Sequence, residues 1–309
     1  MNIIELKNSY EKKEMDKQTF IKEMYKFHQI LFDYSSYLNH TNIKSIEISD
    51  NRVFMTDKKF DIQMICPPYD LRVLPIETLN FNTYEENELQ IVIDLLKDKS
   101  VILDVGANLG WYSLALSKTF PCSQIYAFEP LPHIFDYLSS HIEINKAMNI
   151  KALSLGLSDE VGQSSFYVVP NNSVNASIMN VADNKYAKKI SITLTTLDTF
   201  AHEENLRKVD FIKCDVEGAE LKVLKGASKI IKNYQPVILC EMVRKWTAPF
   251  GYHPNDIISY LKSYGYSCFS VNTPKPTQIE YMDEEMNATN FLFIPSSRTE
   301  KLKSLDEYT

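Results

Sequence analysis

Acidic residues and glycines within one short stretch carry the clearest chemical signal of this 309-residue chain. Asp104 is followed by Gly106 and Gly110, and Glu129 comes next along the chain. The glycine spacing is G-x-x-x-G, whereas a dinucleotide site uses G-x-G-x-x-G to bring a pyrophosphate onto a helix N-terminus. No lysine follows these glycines, as it would in a phosphate-binding P-loop. Asp104 would repel a pyrophosphate but would attract an ammonium or a sulfonium group.

The predicted elements place these residues at one edge of a parallel sheet. Residues 101–105 form an apolar run typical of a buried strand, and residues 109–116 have the apolar spacing of a helix. A second apolar strand, 124–128, ends at Glu129, which we expect to accept both hydroxyls of a ribose, because ligands of doubly wound sheets lie beyond the carboxyl strand ends. This combination predicts an S-adenosylmethionine site, with a plain packing turn as the alternative. The binding residues would be Asp104, Gly106, Ala107, Asn108, Gly110 and Glu129.

Composition excludes several classes of protein. Acidic residues outnumber basic ones, 40 to 33, and the net charge of -7 argues against a nucleic-acid partner. The five cysteines form no C-x-x-C pair, which predicts a reducing, cytoplasmic compartment. The charged N-terminus does not resemble a signal peptide, and no apolar run approaches the length of a membrane span.

The pattern along the chain divides it into three regions. Residues 1–80 are predicted to form an extension with a helix over 1–40 and a β-hairpin over 43–66, residues 81–296 an α/β domain, and residues 297–309 a polar tail. The helix carries one apolar stripe, which we expect to pack on its own chain, with a homodimer through this helix as the alternative. The stripe consists of Phe20, Met24, Phe27, Leu31, Tyr34 and Leu38.

Seven strands are predicted in the α/β domain, with helices between the first five. Only an antiparallel pair fits the short connection between the last two strands. Apolar alternation on both sides of a polar loop at 171–184 predicts an inserted hairpin within 164–198. The seven strands lie near 101–105, 124–128, 150–155, 209–214, 237–242, 266–271 and 290–294.

Five ordered motifs make the chain resemble the FkbM-type methyltransferases over about residues 81–296. The motifs are Asp104–Gly110, Phe128–Pro130, Thr196–Asp198, Ile212–Glu220 and Asn290–Pro295. The resemblance implies a Rossmann-like doubly wound methyltransferase fold, in which a mostly parallel seven-stranded sheet ends in an antiparallel hairpin. It also implies an S-adenosylmethionine-dependent enzyme of class EC 2.1.1 that methylates a hydroxyl of a sugar or a natural product. Residues 1–80 are not covered by the resemblance.

Two acids just past the predicted fourth strand are the best candidates for the chemical step. Asp215 and Glu217 are two residues apart, so both could face one cleft and take the proton of an acceptor hydroxyl. Asp215 would also border the donor methyl group, whereas Glu217 could instead be the first-turn acid of the next helix. Glu241 ends the neighbouring strand, and with Asp215 it could hold a divalent cation such as Mg²⁺ through oxygen ligands.

Three other positions have a functional and a structural interpretation. His253 could be a general base or the start of a helix ahead of Pro254. Ser158, just after the third strand, is predicted to contact the adenine edge. Asp198 is predicted to cap the helix that continues through Phe200. Cys66-Pro-Pro-Tyr69 resembles the loop of nucleic-acid amino-methyltransferases, but a proline connector explains it better.

Together these features predict a sugar or glycan O-methyltransferase. Methylation of nitrogen, or of a lipid or polyketide hydroxyl, is the enzymatic alternative. A nucleoside-binding partner protein without catalysis is the alternative from another class.

Overall fold

The computed structural model describes residues 1–68, 74–168, 188–271 and 275–298. Two helices form the N-terminal part of the chain. Helix α1 spans Ile3–Glu11 and α2 spans Lys17–Tyr37, so the prediction of one helix over residues 1–40 was wrong. The chain breaks between them because the Asp16 side chain accepts the backbone N–H groups of Gln18 and Thr19 and begins a new helix.

The apolar stripe of α2 lies largely outside the core. No residue of α2 is buried, and Leu31 and Tyr34 are 58% and 40% exposed. Phe27, Leu31 and Tyr34 line an open, mostly apolar cavity of about 960 Å³. Two other residues of the stripe do pack on their own chain as expected: the Phe20 ring stacks on Tyr10 with 4.4 Å between ring centres, and Leu38 packs against the small cluster of Ile43, Met55 and Leu79. Leu31 and Tyr34 remain exposed, and a contact between two copies stays a prediction.

A small antiparallel sheet follows, made of β1 (Ile43–Ser49), β2 (Arg52–Asp57) and β3 (Gln63–Ile65). The predicted hairpin is confirmed, with Asp50 and Asn51 both at positive φ in the two-residue turn, as a type I′ turn requires. Two helices lead into the main sheet, α3 (Leu74–Phe81) and α4 (Glu86–Leu95).

The main sheet confirms the doubly wound fold and adds an eighth strand at its edge. Its order is β13-β12-β14-β11-β10-β4-β5-β6, and β14 pairs antiparallel with both β11 and β12. The additional strand is β13, which pairs with β12. The strands are β4 (Val101–Val105), β5 (Gln124–Phe128), β6 (Ile150–Leu153), β10 (Phe211–Cys214), β11 (Val237–Glu241), β12 (Tyr266–Ser270), β13 (Thr277–Ile279) and β14 (Asn290–Pro295).

Helices cover both faces of this sheet, as a parallel sheet buried on both sides requires. Strand β10 shows the alternation: Phe211 belongs to the apolar cluster on one face, and Ile212 and Cys214 belong to the cluster on the other. Lys213 therefore shares a face with Phe211. The helices are α5 (Trp111–Thr119), α6 (Pro132–Ile144), α7 (Leu197–Glu203), α8 (Glu220–Lys225), α9 (Ser228–Tyr234), α10 (Arg244–Thr247) and α11 (Pro254–Ser263).

The insertion between β6 and α7 is a third sheet. Strands β8 (Gly162–Val168) and β9 (Lys188–Thr195) pair antiparallel, which confirms the inserted hairpin, and the short β7 (Gly156–Leu157) joins β9 in parallel. The polar loop at 171–184, Tyr69 and most of the tail lie outside the described residues. Within those that are described, we find no helix with the length and apolarity needed to traverse a membrane.

Candidate functional site

The glycine turn after β4 is pressed against the end of β10. Gly106 has φ +79° and Gly110 has φ +93°, in the left-handed region that glycine adopts without strain. A Cβ atom at Gly106 would come within 1.8 Å of the Asp215 carbonyl oxygen. The turn therefore requires glycine at position 106, and it brings the predicted donor site into contact with the predicted acid site.

Asp104 lies almost completely buried beneath this turn, with 1% of its surface exposed. Its Oδ2 accepts a hydrogen bond from Ser113 Oγ at 2.6 Å, whereas Oδ1 is buried without a hydrogen-bond partner among the described residues. Burial raises the pKa of this carboxyl. Because a buried polar atom without a partner is costly, Oδ1 is suited to receive a ligand N–H group or a ligand cation.

Glu129 joins the same turn from the end of β5. Its Oε2 accepts the Asn108 backbone N–H at 3.1 Å, and its Oε1 accepts the Leu131 N–H at 2.9 Å. Burial raises the pKa of Glu129 to about 7. Each carboxylate oxygen has a second lone pair, so both oxygens remain able to accept a ligand hydroxyl.

The predicted acids of strands β10 and β11 meet at this edge of the sheet. Asp215, Glu217 and Glu241 each place a carboxylate oxygen within 4.8 Å of the others. Three such oxygens also form a donor set that hard divalent cations accept. The structure therefore brings together the three acids that the sequence singled out.

Burial and mutual repulsion favour protons on two of these acids. Burial, followed by the charges of Asp215 and Glu220, raises the pKa of Glu217 to about 8. Burial, followed by the charges of Asp215 and Glu217, raises the pKa of Glu241 well above its usual range. Asp215 instead forms an ion pair with Lys213, with 2.7 Å between Oδ2 and Nζ. The Asp215 carboxylate is therefore held directly beside a cation.

Backbone strain accompanies the acids. Glu217 has φ +53° and Asn108 has φ +50°, although neither is glycine. Residues held in this sparsely populated region cluster at functional sites, where the surrounding structure keeps them in place. Glu220 holds the strained loop, because its Oε1 accepts the backbone N–H groups of Val216 and Gly218 at 3.1 and 2.9 Å.

A cavity of about 220 Å³ connects Asp104 and the glycine turn to two of the three acids, and neither Glu129 nor Glu217 is among its lining residues. It is lined by Asp104, Asn108, Asp215 and Glu241, and also by residues that sequence reasoning missed. These residues come from the segment just before α4, from α5 and from β10. Little in the sequence indicates them, because each lies outside the glycine turn and the strand ends where ligands are expected. They are Tyr84, Glu85, Trp111, Tyr112 and Lys213.

Two predicted site residues are placed elsewhere. Ser158 is 3% exposed, its Oγ donates to Asp159 at 3.0 Å, and its carbonyl oxygen packs against Gly226. His253 begins α11, where its Nδ1 accepts the Asn255 backbone N–H at 3.1 Å. The structure thus gives His253 the helix-start role that the sequence left open, and it does not bring Ser158 to the cavity.

Asp198 caps a different helix from the one predicted. Thr196 is the N-cap of α7, because its Oγ1 accepts the Thr199 N–H. The Asp198 carboxylate accepts the N–H groups of Lys229 and Ile230, at 2.9 and 3.0 Å, at the start of α9. The prediction was wrong because sequence neighbours suggest a local cap, whereas this contact crosses from one helix to another.

Several known proteins similar to this chain are described as methyltransferases. Over 187 residues it is 30% identical to methyltransferase sdnD of Sordaria araneosa, covering 52% of this chain and 71% of that protein. It is 28% identical to hexuronic acid methyltransferase AglP of Haloferax volcanii, covering 50% and 61%. It is 27% identical to 2-O-methyltransferase NoeI of Sinorhizobium fredii, covering 46% and 63%. The chain thus spans less than two thirds of the last two.

A family model places the chain among these proteins. The model, described as the methyltransferase FkbM domain, matches residues 104–268. The match begins at Asp104, contains the glycine turn and all three clustered acids, and ends in β12. It covers more than half of the 309 residues, and the chain therefore belongs to the FkbM methyltransferase family.

Proposed function

We propose that this protein is an S-adenosylmethionine-dependent O-methyltransferase whose acceptor is a hydroxyl of a sugar, a glycan or a glycosylated small molecule. The contact between Gly106 and the Asp215 backbone carries this proposal, because it joins a nucleoside-type turn to a group of acids in one cavity. Methyl transfer requires such a junction, since donor and acceptor must be aligned and water excluded.

The donor residues fit S-adenosylmethionine. Asp104 has a buried oxygen free to accept from the ammonium group, and Glu129 has lone pairs for the two ribose hydroxyls. The backbone of residues 106–110 would border the donor on one side and Asp215 on the other, because a side chain at Gly106 is sterically excluded by the Asp215 carbonyl. When bound, the donor would supply an electrophilic methyl group.

Asp215 is the proposed proton acceptor. A hydroxyl is a poor nucleophile at neutral pH, so a carboxylate that takes its proton speeds the reaction. Asp215 is paired with Lys213 and acts as the carboxylate, whereas the raised pKa values of Glu217 and Glu241 favour their protonated forms. In those forms Glu217 and Glu241 can donate hydrogen bonds to the acceptor or to Asp215.

A divalent cation such as Mg²⁺ is a second candidate role for the same acids. The carboxylate oxygens of Asp215, Glu217 and Glu241 are close enough to share one ion. A bound ion would lower the pKa of the acceptor hydroxyl and so replace the need for a carboxylate base. Chelation distinguishes the two roles.

The named relatives support a carbohydrate acceptor. One of them is described as a hexuronic acid methyltransferase and another as a 2-O-methyltransferase. Identities of 28% and 27% support the class of acceptor and not its identity. The net charge of -7 argues against a nucleic-acid acceptor.

The N-terminal extension has a proposed role in assembly. The exposed residues of the α2 stripe, Leu31 and Tyr34, suit a contact with a second copy of the chain, because monomeric proteins rarely expose large contiguous apolar patches. Sedimentation analysis of the wild type and of Leu31→Lys would test it: a dimer that the substitution dissociates supports the contact, and a monomeric wild type rejects it.

The proposed compartment is the cytoplasm. All five cysteines are free thiols, and Cys214, Cys240 and Cys268 are buried in strands. Such thiols need no oxidising environment. Fractionation of cells that express the protein would test this assignment.

Calorimetric titration with S-adenosylhomocysteine, repeated with NAD, is the experiment that tests the donor assignment. Micromolar binding of S-adenosylhomocysteine without binding of NAD supports the proposal, and the opposite result rejects it. Transfer of a radiolabelled methyl group to a panel of nucleotide sugars and glycans then tests the acceptor class. Products stable to mild base would be ethers, as expected for a hydroxyl acceptor, whereas labile products would be esters.

A further inference from the structure

A buried lysine lies beneath the clustered acids. Lys213 is the third residue of β10, and in the parallel register it stands beside Asp104 of β4 and Leu239 of β11. Only 8% of its side chain is exposed. A lysine inside a parallel sheet is unusual, because burying an unpaired ammonium group is very costly.

Acidic and aromatic groups from five segments of the chain surround this ammonium group. Lys213 Nζ lies 2.7 Å from Asp215 Oδ2 and 4.8 Å from the centre of the Tyr112 ring. Although burial lowers the pKa of Lys213, the neighbouring carboxylates outweigh that effect and raise it well above its usual value. The ionisable neighbours are Asp215 on the same chain segment, Asp104 on β4, Tyr84 and Glu85 before α4, Tyr112 on α5 and Glu241 on β11.

The stability of the folded state does not require this ion pair. Replacing a buried ion pair by well-packed apolar residues often leaves stability unchanged or increases it. Phe211 shows that the same face of β10 accepts a large apolar side chain. What an apolar residue could not do is hold one oxygen of Asp215 in place at the edge of the cavity.

We propose that Lys213 is a positioning residue of the methyl-transfer site, which fixes the Asp215 carboxylate through Oδ2 so that its other oxygen faces the acceptor. This inference rests on the proposed function, in which Asp215 receives the acceptor proton. Lys213 acts through Asp215 and does not itself contact the reacting atoms. Lys245 also lies near the acids but is exposed and stacks on Trp246, with its Nζ 4.3 Å from the ring centre, so it cannot replace Lys213.

The test compares Lys213→Met, which keeps the length but removes the charge, with Lys213→Arg, which keeps the charge. Lys213→Met should lower kcat by about 100-fold or more, which is the loss in rate expected when a general base no longer works. The acceptor KM and the affinity for S-adenosylhomocysteine should stay within about threefold of the wild-type values. Lys213→Arg should restore at least about a tenth of the wild-type kcat. A double variant with Asp215→Asn should be about as slow as the slower single variant, because both act in one unit.

Three results would overturn the assignment. Multiplicative losses in the double variant would show that the two residues act independently. Loss of S-adenosylhomocysteine binding with kcat preserved at saturating donor would place Lys213 against the donor. Equal activity of the methionine variant and the wild type would remove its role altogether.

A chemical probe tests the ion pair without turnover, so that it remains informative even if no acceptor is methylated. Acetic anhydride labels lysines through the neutral amine, and mass spectrometry reports the rate at each position. Loss of a partner carboxylate lowers a lysine pKa by a unit or more, so Asp215→Asn should increase acetylation of Lys213 by about tenfold or more. Exposed Lys222 is the internal control. Equal rates at Lys213 in both proteins would reject the pairing itself, whatever the acceptor assays show.

Discussion

The carbonyl oxygen of Asp215 occupies the space that a side chain at position 106 would need. A Cβ atom on Gly106 would approach this oxygen to 1.8 Å, and the backbone of Gly106 has φ +79°. One glycine therefore determines how closely the turn after β4 approaches the end of β10. The donor and acid halves of the site depend on this contact.

Gly106→Ala should abolish S-adenosylhomocysteine binding, because the turn must move away from Asp215 and because alanine disfavours this positive φ. Calorimetry measures the binding, and circular dichroism shows whether the fold persists. Gly162→Ala is the matched control, since a Cβ there meets nothing within 4 Å. Normal binding by the Gly106 variant would contradict the assignment of this turn to the donor.

Glu129→Ala should weaken S-adenosylhomocysteine binding by about tenfold or more, because hydrogen bonds to a charged group contribute about 1.5–3 kcal/mol. Part of the lost affinity would come from a change in the turn itself, since the carboxylate also accepts the N–H groups of Asn108 and Leu131. Glu129→Gln separates the effects: it keeps one acceptor oxygen and should bind with intermediate affinity. The same titration of exposed Glu160→Ala is the control, and unchanged affinity in Glu129→Ala would end the ribose assignment.

Sequence patterns predicted the parts of the site that lie within one strand and the turn after it. The apolar run of β4, the glycines and Glu129 are neighbours in sequence or follow from one β-α-β unit, so periodicity is enough to place them. The same holds for Asp215 and Glu241, since the carboxyl ends of parallel strands share an edge. Lys213 lies within the motif Ile212–Glu220, but the sequence assigns it no role, because a single lysine in an apolar run does not reveal its partners.

Contacts between distant segments could not be predicted in this way. Tyr84 and Glu85 reach the cavity because α4 packs on α5, and Asp198 reaches α9 across the gap between two helices. His253 shows how a helix start can be mistaken for a catalytic position when only the sequence is read. A histidine in a loop after a strand that ends in an acid suggests a base, but Pro254 and Asp256 behind it form the start of a helix.

Asp215→Asn should lower kcat by about 10²- to 10⁴-fold, the usual contribution of a general base, while S-adenosylhomocysteine affinity changes little. Single-turnover assays with labelled donor measure the chemical step directly. Asp159→Asn is a control, because Asp159 is an acid outside the cavity that accepts from Ser158. If the Asp215 variant lost donor binding and kcat together, Asp215 would be a donor residue and not the base.

Asp198→Ala should destabilise the fold by about 1–2 kcal/mol without changing kcat. Its carboxylate caps α9 through two backbone N–H groups and also accepts from Ser228 Oγ at 3.2 Å. Urea denaturation measures the free energy of unfolding, and the methyl-transfer assay measures kcat. A drop in kcat at full stability would show that this part of the chain does more than support α9.

Chelation should leave methyl transfer intact. Lys213 already supplies a positive charge to Oδ2 of Asp215 at 2.7 Å, so this oxygen is engaged before any ion arrives. Activity after dialysis against EDTA, with Mg²⁺ added back in parallel, is the measurement. Activity that disappears on chelation and returns with Mg²⁺ would instead make Asp215, Glu217 and Glu241 a metal site.

The raised pKa of Glu217 predicts a specific pH dependence of stability. Its pKa is about 8 in the folded protein, against an ordinary glutamate pKa of 4.5, so the folded state binds the proton more tightly than the unfolded chain. The stabilisation is therefore complete below about pH 4.5 and is lost as the pH rises through about 8.

Glu217→Gln cannot ionise and should lose less stability than the wild type over this interval. The difference should grow by at most about 1.4 kcal/mol per pH unit, in urea titrations at pH 5, 6, 7 and 8. Exposed Glu160→Gln should follow the wild type. Parallel curves for wild type and Glu217→Gln would show that this carboxyl is not held protonated by burial.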